Sequence, residues 1–100
     1  MTELQRKVID WAEERNLNDP IKQTLKTLSE AGELADGVCK GNEELIKDAI
    51  GDVEVCLTIL KHQFGYEQDE CLQSAYDVIA SRKGVTVHGT FIKQEDLDKM

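Results

Sequence analysis

Residues 19–44, DPIKQTLKTLSEAGELADGVCKGNEE, decide the fold. Asp19-Pro20 reads as an N-cap followed by the first helical position, because Asp accepts from the free amides there and Pro has no amide proton to orphan. From Pro20 onward Ile21, Leu25, Leu28, Ala31, Leu34, Ala35 and Val38 recur every three or four positions, an arc wider than a single stripe. Lys40-Gly41-Asn42 then supplies a basic last turn, a glycine stop and a fresh cap, with Glu43 and Glu44 in the first turn of the next helix. The stretch is therefore a tightly joined helical hairpin whose first helix packs on more than one side.

The same periodicity extends outward. A first helix of about 2–16 carries Leu4, Val8, Trp11 and Ala12 and stops at the polar turn before Pro20. The third, about 43–64, bears Leu45, Ala49, Val53, Cys56, Leu60 and Phe64, ends at Gly65 and is expected at the centre. A fourth, about 67–83, uses Leu72, Ala75, Tyr76 and Ile79 and is expected to end at Gly84 behind Arg82-Lys83. The segment 85–100 then changes character: β-branched residues flank His88-Gly89, which fits a short hairpin or an extended tail. The expectation is one all-α domain, 1–100, a four-helix bundle with a short C-terminal extended or hairpin segment.

With 20 acidic and 12 basic residues and a net charge of −8, the chain is a poor ligand for a polyanionic backbone. No polymeric nucleic acid partner is expected. No apolar run approaches the roughly 18 to 20 residues that cross a bilayer, so no membrane partner is expected either. The N-terminus has no apolar signal core, and a cytoplasmic location is expected. Cys39, Cys56 and Cys71 form no Cys-x-x-Cys pair and read as reduced, buried small hydrophobes. The wide apolar arc of the second helix points to a homodimer or homotetramer.

Two groups of acids break the pattern of a solvated helix face. Glu30 and Glu33 stand three apart on the second helix, so both carboxylates face one side and repel. Asp52 stands in the row Leu45, Ala49, Asp52, Cys56, where a buried carboxylate is costly unless paired or bound to metal. Asp48 lies one turn before it. In an antiparallel hairpin the two pairs meet at similar height, making a cluster of four carboxylates that a hard divalent cation such as Mg²⁺ would resolve. The alternative, exposed and merely solubilising acids, stays open. A di-iron centre is disfavoured, since it uses Glu-x-x-His and the one helical histidine, His62, has Ile59 three residues before it. Arg82 and Lys83 read either as helix-dipole compensation or as a phosphate-binding pair suited to a triphosphate.

Leu28-Ser29-Glu30-Ala31-Gly32-Glu33-Leu34-Ala35, Lys47-Asp48-Ala49-Ile50-Gly51-Asp52-Val53, Ala75-Tyr76-Asp77 with Arg82-Lys83-Gly84, and Gly89-Thr90-Phe91-Ile92-Lys93 resemble the MazG-like nucleotide pyrophosphohydrolases. These belong to the all-α NTP pyrophosphatase superfamily, and the likeness is to their small phage and bacterial type. The family pattern is Glu-x-x-Glu followed by Glu-x-x-Asp. Glu30, Glu33 and Asp52 match it, Ala49 stands where the family has Glu, and Ser29 where many relatives carry another acid.

The resemblance implies hydrolysis of a nucleoside triphosphate to monophosphate and pyrophosphate with Mg²⁺, or Mn²⁺ in its place. It implies Glu30, Glu33, Asp48 and Asp52 as metal ligands, Asp48 standing in for the missing Glu, and Glu33 and Asp48 as the catalytic carboxylates. Asp77, Arg82, Lys83 and Lys26 would contact substrate. Trp11 is expected in the core, with stacking on a base, as in some relatives, as its alternative. A non-catalytic acidic interaction or nucleotide-binding module on the same fold is the competing reading, which Ala49 and Ser29 favour. A non-nucleotide phosphate substrate is a further one.

Overall fold

Thr2 opens helix α1 (Glu3–Glu14) with a reciprocal cap: its hydroxyl accepts from the Gln5 amide at 3.0 Å, and the Gln5 side-chain oxygen accepts from the Thr2 amide at 2.9 Å. Helix α2 (Pro20–Lys40) begins as the sequence implies, with Asp19 Oδ1 accepting from the amides of Ile21 at 3.0 Å and Lys22 at 3.2 Å. It ends at Gly41, whose φ of 65° is left-handed, with the Asn42 amide donating to the Gly37 carbonyl at 3.1 Å. Asn42 in turn caps α3 (Glu43–Gln63), accepting from the Leu45 amide at 3.1 Å. The computed structural model describes residues 1–99. Among these, α4 (Glu70–Ala80), strands β1 (Gly84–Val87) and β2 (Thr90–Lys93) and the single turn α5 (Gln94–Leu97) complete an all-α chain with a short C-terminal hairpin.

The described chain forms two compact units, Met1–Gln68 and the segment from Asp69 onward. In the first, α3 is central and packs on α2 along one side and α1 along another. Its core is small: Ile9 and Ala12 from α1 and Ala49, Cys56 and Ile59 from α3 are nearly inaccessible. Polar ties stitch the periphery. Gln63 Nε2 donates to the Leu17 carbonyl at 3.0 Å, and Gln68 Nε2 to the Thr58 carbonyl at 3.1 Å. His62 Nε2 lies 2.8 Å from Glu13 Oε1, linking α3 to α1.

Several details differ from the sequence expectation. Helix α1 stops at Glu14 rather than near residue 16, because Asn16 adopts a left-handed φ of 56°. Its buried pair is Ile9 and Ala12, whereas Leu4 is exposed and Trp11 is 47% exposed. Trp11 is therefore not a core residue: among the described elements of its unit α1 packs on α3, and the indole lies beneath the Arg15 guanidinium, 4.3 Å from its carbon to the ring centre.

In the second unit α4 spans residues 70–80 rather than 67–83, and all of its residues are exposed, Leu72, Tyr76 and Ile79 included. The segment after it is the hairpin alternative of the two expected, except that residues 94–97 turn helical instead of staying extended. β1 and β2 pair antiparallel, Val85 opposite Ile92 and Val87 opposite Thr90. The turn is His88-Gly89, with φ of 50° and 80°, which matches the right-handed twist of the strands. Gly84 begins a strand rather than ending a helix: a Cβ there would run into the Ile92 carbonyl oxygen and the Phe91 ring, so only glycine lets the strands close.

Candidate metal centre

The i,i+3 spacing on α2 brings Glu30 and Glu33 to one side, and the Gly41 turn folds α3 back so that Asp52 comes to face them. One carboxylate oxygen from each of Glu30, Glu33 and Asp52 lies within 4.8 Å of the others. Glu30 is buried, Asp52 half-buried and Glu33 exposed, so the set opens outward from a buried base. Oε1 of Glu30 pairs with the Lys26 ammonium at 2.9 Å, while Oε2 is buried without a hydrogen-bond partner. An orphaned carboxylate oxygen is costly, and this one belongs to the cluster itself.

The electrostatics follow from these neighbours. The Lys26 hydrogen bond holds the Glu30 carboxyl below its ordinary range, and Glu30 holds the Lys26 ammonium above its own. The negative charge of Glu30 pushes the Glu33 carboxyl up. Asp52 is pushed up by burial first, then by the charge of Asp48. Beneath them the Cys56 thiol is raised by burial and then by Glu30. Three oxygen donors that repel one another could hold a hard divalent cation such as Mg²⁺ or Mn²⁺, for which the Glu30 carboxylate would be a buried ligand.

Asp48, the fourth carboxylate expected, is outside this converging set. It is exposed on α3 and shares a groove with Asp52, Glu44 and Lys47. The displacement is rotational, since a residue one position before the family's Glu is turned about 100° around the helix. The position facing inward belongs to Ala49, 1% exposed. Lys26, read as a phosphate contact, pairs with Glu30, and its i,i+4 spacing is the signal from which that pair was readable. Asp77, Arg82 and Lys83 lie in the second unit, all exposed, with Asp77 Oδ1 accepting from Gln73 Nε2 at 2.9 Å. Trp11 is on the surface of α1.

The cysteines also divide: Cys56 is buried behind the cluster, but Cys39 and Cys71 are exposed, contrary to the expectation that all three are interior. A thiol reagent under native conditions is expected to modify two cysteines within minutes and the third only on unfolding. Rapid modification of all three would mean that the α2–α3 interface opens readily.

No family model matches the chain, and no solved structure does. Among curated proteins it is similar to an uncharacterized 18.2 kDa protein from the rep-hol intergenic region of Haemophilus phage HP1, 42% identical over 66 residues. That match covers 63% of this chain and 40% of the phage protein, so the chain spans well under half of its relative's length.

Proposed function

We propose that the protein is a Mg²⁺-dependent nucleoside triphosphate pyrophosphohydrolase, converting a (d)NTP and water to a (d)NMP and pyrophosphate. The observation that carries this reading is the convergence of Glu30, Glu33 and Asp52 oxygens within 4.8 Å of one another, with one oxygen of the Glu30 carboxylate buried and unpartnered. Phosphoryl chemistry of this kind needs positioning and charge neutralisation more than a covalent nucleophile. Bound Mg²⁺ supplies that neutralisation and makes a coordinated water more acidic. Glu30, Glu33 and Asp52 are the residues that would hold it. Asp48, exposed one turn before Asp52, is free of the coordinating set and suited to orient the attacking water and accept its proton. Likeness to a phage protein supports a phage or bacterial origin, and the activity belongs to the cytoplasm, where triphosphates and Mg²⁺ occur together.

The test is Mg²⁺-dependent release of pyrophosphate from a panel of NTPs and dNTPs, with Asp48→Asn alongside. Monophosphate and pyrophosphate as the only products, with release by Asp48→Asn reduced on the order of a hundredfold, support the assignment. Unchanged activity in Asp48→Asn removes that residue from the chemistry. A second reading, a non-catalytic acidic or nucleotide-binding module, is favoured by Ala49 filling the inward position. Absence of turnover with every substrate selects it.

The partner proposed for α2 is a second copy of the chain, in a homodimer or homotetramer. Ile21, Leu25 and Leu28 follow one apolar line along α2 and are 75%, 61% and 70% exposed. Such a stripe is costly to leave in water. Light scattering on the eluting protein is expected to give at least twice the chain mass, with Leu25→Glu/Leu28→Glu returning it to the mass of one chain. A monomeric wild type overturns this.

A further inference from the structure

We infer that Lys26 is a built-in competitor for the divalent cation, holding the cluster partly neutralised when no cation is bound and weakening its affinity for the ion. The inference rests on reading the acidic cluster as a cation site. Its ground is geometric. Lys26 sits one turn before Glu30 on α2, and its Nζ lies 2.9 Å from Oε1 of the most deeply buried carboxylate of the three. The ammonium is a single point charge that satisfies one oxygen, and Oε2 of the same carboxylate stays buried without a partner. Cation and ammonium therefore contend for the same carboxylate, at a separation where like charges repel.

The two ends of the pair differ in freedom. The Glu30 side chain is 8% exposed and fixed in the α2–α3 interface, whereas that of Lys26 is 62% exposed. Lys26 also lines an open groove with Asn16, Asn18, Lys22 and Gln63. A four-carbon stem at the rim of a groove swings aside at little cost. Binding of the ion is thus an exchange, in which one charge-assisted hydrogen bond of Glu30 loosens as the new coordination forms. With its Lys26 end in solvent the pair is partly screened, so the exchange tunes affinity rather than blocking the site.

Mn²⁺ titration followed by electron paramagnetic resonance tests this without any substrate, at pH 8 and low ionic strength. Wild type is compared with Lys26→Met, Lys26→Arg and Glu30→Gln. Lys26→Met keeps the aliphatic stem and removes the charge, and it is expected to bind Mn²⁺ about three- to tenfold more tightly. Lys26→Arg keeps the charge and is expected to stay near wild type. The gain in Lys26→Met should shrink at high salt, because an exposed ammonium is screened. Binding by wild type that is lost in Glu30→Gln but unchanged or weakened in Lys26→Met overturns the inference alone, since Lys26 would then help to hold the ligands in place. Absence of saturable binding in both wild type and Lys26→Met overturns the cation reading and the inference together. Binding that appears only in Lys26→Met supports the inference in its strongest form. Lys26→Gln repeats the charge removal should Lys26→Met lose helix content.

Discussion

Glu33→Gln is expected to raise the melting temperature of the metal-free protein and to remove cation-dependent hydrolysis in the same substitution. Glu33 faces Glu30 one turn away, and that neighbour's charge pushes its carboxyl up. A neutral amide of the same shape ends the repulsion, which for an i,i+3 pair corresponds to a rise of about 1–4 °C. The pH dependence fixes the sign. A carboxyl held above its ordinary range binds more protons in the folded state, so its contribution makes the metal-free protein more stable as pH falls through the raised value. Glu33 and Asp52 act in this direction and Glu30 in the opposite one. Glu33→Gln removes one of the first two, so its stability should fall less steeply from mildly acidic to neutral pH than that of wild type. Hydrolysis should drop on the order of a hundredfold or more, as when one preorganised charge-stabilising group is lost from an active site. Thermal denaturation across pH, paired with pyrophosphate release, checks both halves. A variant less stable than wild type without metal would show that Glu33 is paired rather than strained.

Divalent cation itself should have the largest effect on stability. A ligand that binds only the folded state stabilises it by about 2.7 kcal/mol at a hundredfold excess over its dissociation constant. For a chain of this size that is a rise of roughly 10–20 °C. The rise should be largest near neutral pH and shrink on acidification, beginning above the ordinary carboxylate range, because Glu33 and Asp52 take up protons early and a protonated carboxyl is a poor ligand. Melting curves with and without Mg²⁺ or Mn²⁺, repeated in Glu30→Gln, measure it. A shift in Glu30→Gln as large as in wild type would mean that the ion binds elsewhere.

Much of the architecture was legible because it rests on local chemistry. Asp19, Gly41 and Asn42 act through their own side chains and φ angles on neighbouring amides, and α2 occupies the span they delimit. The pairing of Glu30 with Glu33 follows from helical pitch alone, and the place of Asp52 from the row it interrupts. Trp11 was misread because burial depends on how many partners a helix meets, and α1 meets α3 along one stripe. Gly84 was misread because a glycine that ends a helix and one that admits a neighbouring strand look alike until the register is known.

The sequence by itself determined α2, α3, the caps that bound them and the acids that would share a face, since each depends on residues within one or two turns. Only the tertiary structure decided that three carboxylates converge while Asp48 turns aside, and that one oxygen of Glu30 is left buried without a partner. The physical reason is that pitch fixes direction around a single helix, whereas burial and distance between two helices depend on how closely their backbones approach.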